Sequence, residues 1–211
     1  MAEEFLREIA GPAGPLEALL DLPTAPPRAA AVFAHPHPLH GGTMHTKAVY
    51  QSAKALARIG VAVLRFNFRG VGRSAGTHDE GPGEMADFRA ALDFMAERYP
   101  DLPLWAAGFS FGSWIASTVG ADDPRVKLLL AIGPAIDRYD FEVVKRSDKP
   151  KFLIHAEFDE LIAVKEVKKF YAQLREPKDL VVIDAADHLF NGKTMELAEV
   201  VEDLLRDFSH A

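Results

Sequence analysis

The sequence predicts an α/β fold, a mostly parallel central sheet covered by helices on both faces. Strand-like and helix-like segments alternate along most of the 211 residues. Several strand segments, such as VAVLRFNF and VKLLLAI, are close to continuously apolar, the pattern of strands buried on both faces rather than one. Finally, 48% of the residues are hydrophobic, enough for one sizeable core, so one domain over 1–211 is expected.

The elements follow in order. EFLREI, the turn formers GPAGP and LEALLDL read as a hairpin. Its two strands are too close together for a helical crossover, so they form an antiparallel edge. Ala29–Ala34 (AAAVFA) is a strand leading into the loop HPHPLHGG, His35–Gly42. Lys47–Ile59 reads as a helix with Val49, Ala53, Leu56 and Ala57 on one face, stopped by Gly60. Val61–Phe68 is a strand that runs into the glycine-rich turn RGVGRSAG. Glu84–Tyr99 is a second helix with the stripe Met85, Phe88, Leu92 and Met95, closed by Pro100. Strand Leu104–Phe109 is followed by helix Gly112–Val119, then by strands Val126–Ile132 and Lys151–His155. Helix Val164–Leu174, strand Leu180–Asp184 and helix Met195–Phe208 complete the chain. There is no internal repeat, low-complexity tract or linker. Alternation of this kind implies a parallel sheet with helical connections.

Composition excludes several functions. The net charge is −7 and no stretch concentrates Lys and Arg, which argues against a nucleic-acid partner. No apolar run approaches the roughly 18 residues of a membrane span. The start of the chain carries two early glutamates and no apolar h-region, so no signal peptide and a cytoplasmic location are expected. The absence of cysteine excludes disulfides, thiolate ligands and a Cys nucleophile.

The chemistry is written most clearly in LWAAGFSFGSW, Leu104–Trp114. A strand ends in Gly108-Phe109-Ser110-Phe111-Gly112 and a helix follows at once. Gly-x-Ser-x-Gly in that setting places the serine on a tight, strained turn above the carboxyl end of the sheet. The helix N-terminus beneath it points N–H groups at developing negative charge, with Phe111 N–H as the first oxyanion donor. The motif alone also arises by chance around inert serines, so the later segments matter. Strand KFLIH ends in AEFDEL, with Asp159 just beyond it; strand LVVID ends in AADHLF, with His188 just beyond. Ser110, Asp159 and His188 thus fall after three strands on one edge of a parallel sheet, where open α/β sheets bind ligands. A serine nucleophile needs a base, and a histidine base needs a carboxylate to fix its tautomer. Glu157, Glu160, Asp184 and Asp187 compete with Asp159. Asp187 adjoins His188, and Asp184 is read as still within its strand.

The segments HPHPLHGGTMHTK, RFNFRGVGRSAG, AGFSFGS, HAEFDEL and ADHLF, spanning Ala31 to Phe190, together resemble the α/β-hydrolase superfamily. More narrowly they resemble small lidless bacterial hydrolases and carboxylesterases related to dienelactone hydrolase, which itself uses cysteine where this chain has Ser110. The resemblance implies a second oxyanion donor from the loop after the third strand. It falls on the backbone N–H of His37, with Leu39 next, because Pro36 and Pro38 have none. The prolines stiffen the loop so that one N–H is aimed, and Gly41 and Gly42 let the chain turn toward its helix. The rival reading is a zinc site built from His35, His37, His40 and His45. The loop lacks the carboxylate such a site wants, so no metal and no cofactor are expected. Arg69 and Arg73 read as structural, holding nearby carbonyls, or as readers of an anionic substrate. Leu39, Phe109, Trp114 and Leu189 are candidate pocket residues. Only Gly133–Pro150 separates strand VKLLLAI from KFLIH, too little for a large cap, so the pocket is expected to be open and shallow.

The expected function is a serine hydrolase that cleaves small, short-chain carboxylic esters through an acyl-enzyme. The same residues would serve an amide, thioester or lactone substrate, or acyl transfer. A different class, a non-catalytic binding protein on the same scaffold, fits the fold as well, because fold does not fix function.

Overall fold

The computed structural model describes residues 2–208. They form one eight-stranded sheet in the order β1-β2-β4-β3-β5-β6-β7-β8. β1 (Ala2–Gly11) and β2 (Gly14–Leu22) make the antiparallel hairpin, and β2 pairs antiparallel with β4 (Val61–Phe66). β3 (Ala29–Ala34), β4, β5 (Leu104–Phe109), β6 (Val126–Ile132), β7 (Lys151–Ala156) and β8 (Lys178–Ile183) run parallel. The central strands β3, β4 and β5 are buried along their whole length, as strands covered on both faces must be.

Alternate residues of these strands feed two cores. Ala30, Val32, Leu64 and Phe66 pack with α2 (Pro82–Arg98) and α3 (Phe111–Asp122) through Phe88, Leu92, Ile115 and Val119. Ala31, Phe33, Val63 and Trp105 pack with α1 (Lys47–Arg58) and α6 (Thr194–Leu205) through Val49, Leu56, Leu197 and Val201. The stripe read for the first helix is buried as expected. Where β4 meets the antiparallel hairpin, Arg65 is 0% exposed within an otherwise apolar strand. Asp21 of β2 answers it with hydrogen bonds of 2.6 and 3.2 Å, and Lys54 of α1 stands 2.8 Å from the same carboxylate.

Several boundaries move, each for a local reason. β4 stops at Phe66, not Phe68, because Phe68 N–H is donated to the His35 ring instead of to a ladder. α2 begins at Pro82, since Pro at the first helical position needs no N–H partner, and Glu84 receives the N–H groups of Asp79 and Gly81. β8 ends at Ile183, which leaves Asp184 outside the strand rather than within it. Between β6 and β7 stand only a turn, the short helix α4 (Glu142–Arg146) and its flanks; the fold is lidless. α5 (Val164–Gln173) follows β7 and buries Val167 and Phe170. No helix among the described residues is long and apolar enough to cross a membrane.

Candidate active site

The carboxyl ends of β3, β5, β7 and β8 converge on one cavity of about 360 Å³, whose lining includes His37, Ser110, Phe111, Glu160 and His188. Ser110 sits between β5 and α3 with φ 54° and ψ −119°, a conformation that L residues avoid and that costs about 1–3 kcal/mol. The turn is held by Ser110 N–H donating to Ile132 O at 2.9 Å, and by Ser113 Oγ donating to Ser110 O at 2.6 Å. Glycine is required on its far side: a Cβ on Gly112 would lie 2.4 Å from the carbonyl oxygens of both Ala34 and His35. That close approach brings the first turn of α3 against the end of β3.

Ser110 Oγ lies 3.0 Å from His188 Nε2, and His188 Nδ1 lies 2.7 Å from Asp159 Oδ2. The other carboxylate oxygen accepts the N–H groups of Leu161 (2.9 Å) and Ile162 (2.8 Å). Burial alone would raise the Asp159 carboxyl. The hydrogen bond and charge of His188 and the two backbone N–H groups outweigh it and hold the pKa below its ordinary value. The His188 ring packs on Phe109, with centroids 5.3 Å apart, and its backbone N–H donates to Glu160 Oε2 at 3.1 Å. The structure therefore brings Ser110, His188 and Asp159 together. Of the competing carboxylates, Glu157 receives Ala185 N–H and Asp187 receives Asn191.

Across from His188, the N–H groups of His37 and Phe111 have no acceptor among the described residues. Leu39, the next donor in the loop, gives its N–H to His37 Nδ1 at 3.2 Å and is not available. Burial, then the neighbouring His40 and His78, push the His37 imidazole below its ordinary value.

Three expected pocket residues lie elsewhere. Leu39 is 71% exposed on the outside of its turn. Phe109 is fully buried beneath His188. Trp114 is stacked flat on Tyr139, 4.3 Å between centroids, and donates its indole N–H to Asp140 O, so it backs the wall that Tyr139 lines. Leu189 does line the cavity. Arg69 holds the Asp87 carboxylate (3.0 and 2.8 Å) rather than carbonyls, and neither it nor Arg73 lines the cavity. Among the described residues no three His, Asp or Glu side chains are arranged to hold a metal ion.

Sequence reasoning passed over Glu160 as a partner of His188 N–H, and Arg138 and Tyr139 as lining. It also passed over His155, a buried ring beneath the acidic loop whose Nε2–H donates to Ile162 O at 2.9 Å. The signal for His155 was present, a histidine ending an apolar strand four residues before Asp159.

Fold and nucleophile turn together define a lidless α/β-hydrolase of the serine-hydrolase class. Within it, the chain belongs to the family described as serine aminopeptidase, S33, whose model matches residues 26–147. A solved structure from Coxiella burnetii, described as an alpha-beta serine hydrolase homologue, is 36% identical with TM-score 0.91, covering 97% of this chain and 98% of that one. XC6422 from Xanthomonas campestris, described as a serine hydrolase without lid, is 33% identical with TM-score 0.91, covering 100% of this chain and 97% of that one. Protein RP471 of Rickettsia prowazekii is 36% identical over 92% of this chain and 86% of its own length.

Proposed function

We propose that the chain is a carboxylesterase-type hydrolase of small, short-chain esters. The observation that carries this is the hydrogen-bonded series Ser110–His188–Asp159, 3.0 and 2.7 Å, opening on a cavity beside two free N–H donors. Ser110 Oγ attacks the ester carbonyl while His188 Nε2 takes its proton. Asp159 keeps the proton of His188 on Nδ1 and stabilises the imidazolium. The N–H groups of Phe111 and His37 receive the oxyanion. His188 returns the proton to the leaving alkoxide, and water then cleaves the acyl-enzyme through the same histidine.

The family description includes peptide cleavage at an amino terminus, which requires an anionic group free to receive the substrate ammonium. The carboxylate lining this cavity, Glu160, accepts His188 N–H through Oε2 alone, so aminoacyl substrates are set directly against esters. The test is turnover of p-nitrophenyl acetate and butyrate beside aminoacyl p-nitroanilides. The reading expects ester turnover at least about a hundredfold above anilide turnover, lost about a thousandfold or more in Ser110→Ala. Wild-type turnover in Ser110→Ala contradicts it.

A further inference from the structure

We infer that the buried imidazole of His35 is a positioning residue for the oxyanion hole: it holds the carbonyl of Pro36 and so aims the N–H of His37. The inference rests on the proposed role of that N–H. Pro36 C=O and His37 N–H belong to one peptide unit. The bond is trans, so the two groups point in opposite directions from a rigid plane. Whatever fixes the carbonyl fixes the N–H.

His35 is 0% exposed, with its ring edge-on to Phe68 at 4.8 Å. Its Nε2 lies 3.1 Å from Phe68 N, and a backbone N–H can only donate. Nε2 therefore carries no proton. The proton sits on Nδ1, which lies 2.6 Å from Pro36 O and donates to it. One ring thus ties the exit of β4 to the oxyanion loop, with no freedom of tautomer. Burial pushes its pKa down to about 4, so the neutral donor–acceptor form is kept across neutral pH.

Gly42 also closes on this carbonyl. A Cβ on Gly42 would lie 2.0 Å from Pro36 O, so only glycine fits there. A hydrogen bond into a peptide carbonyl also polarises the unit and strengthens its N–H as a donor. His35 thereby serves both the direction and the strength of the His37 N–H without touching substrate. This gives the His35 ring a role other than metal ligation.

Two substitutions separate the halves of this bridge. His35→Asn places an amide donor near Nδ1 and abandons Phe68. His35→Gln places its amide near Nε2 and abandons Pro36. With p-nitrophenyl acetate, His35→Gln is expected to lose about tenfold or more in kcat with KM within about twofold, a fraction of the cost of deleting an oxyanion donor. Its affinity for a trifluoromethyl ketone should fall in parallel. His35→Asn should stay within about threefold of wild type, although each variant loses one buried hydrogen bond and both should lose similar Tm. Equal kcat in the two variants, or a greater loss in His35→Asn, overturns the inference. If neither variant folds, Gly42→Ala presses on the same carbonyl: a tenfold loss of kcat at unchanged KM supports the inference, and wild-type kcat overturns it. Ser110-dependent turnover with indifferent His35 variants defeats this inference alone. Turnover that survives Ser110→Ala defeats the functional reading beneath it.

Discussion

His35 and Asp159 are both charged or neutral by virtue of their surroundings, and both leave a mark on stability. The His35 pKa is about 4 in the folded chain against 6.5 for an ordinary histidine. Between those values the unfolded chain binds a proton that the folded chain refuses. The His35 contribution is therefore complete above pH 6.5 and falls by about 3 kcal/mol as pH drops toward 4, and the lowered His37 and His155 act in the same direction. Asp159 acts in a lower window: its carboxyl is held below the ordinary 3.8, so its contribution is present above that pH and lost as pH falls further. Thermal melts from pH 8 to 4 should show Tm falling through the histidine window, and His35→Gln should flatten that part of the curve. A wild-type Tm that is level from pH 6.5 to 4 contradicts this. Ser110 was legible in the sequence because its glycines stand where a strained turn needs them, and Asp159 because it follows a strand end. The work of His35 was not legible. It depends on the point where β4 releases Phe68 N–H, which no residue pattern announces. Glu160 was hidden for a similar reason, since its partner lies 28 positions away.

At the scale of elements, the alternation of apolar runs and amphipathic stripes was sufficient to place every parallel strand and the hairpin edge. What it misplaced were ends. α3 begins at Phe111 and β8 ends at Ile183 because local hydrogen bonds decide ends, while periodicity decides interiors. Arg65 in an otherwise apolar strand was passed over in the sequence, and its partner is Asp21 of the neighbouring strand. Removing that carboxylate leaves the buried guanidinium with only Glu3 Oε1 at 3.5 Å and Met44 O as partners. Asp21→Ala should destabilise by about 3–5 kcal/mol, read by urea unfolding; a cost under 1 kcal/mol contradicts the assignment. The approach of α3 to β3 yields a second prediction. Gly112→Ala forces a Cβ to within 2.4 Å of two carbonyl oxygens. It should cost about 1–3 kcal/mol and at least about tenfold in kcat, because it separates the two N–H groups proposed to receive the oxyanion. An unchanged kcat counts against that geometry.

On the scale of the whole molecule, the absence of a cap between β6 and β7 leaves the cavity open to solvent beside exposed Leu161 and Leu189. No helical lid has to move, so a soluble ester should be hydrolysed without a rise in rate at its micellar limit. A sharp rise there would show that some other segment closes the site. We infer that Ser110 is activated by His188 on this scaffold. Intact-mass measurement after treatment with a fluorophosphonate tests it most directly, with wild type, Ser110→Ala and His188→Ala side by side. One adduct is expected on folded wild type, none on Ser110→Ala, and labelling slowed by about a hundredfold or more in His188→Ala. No adduct on folded wild type, or equal labelling of Ser110→Ala, would contradict it.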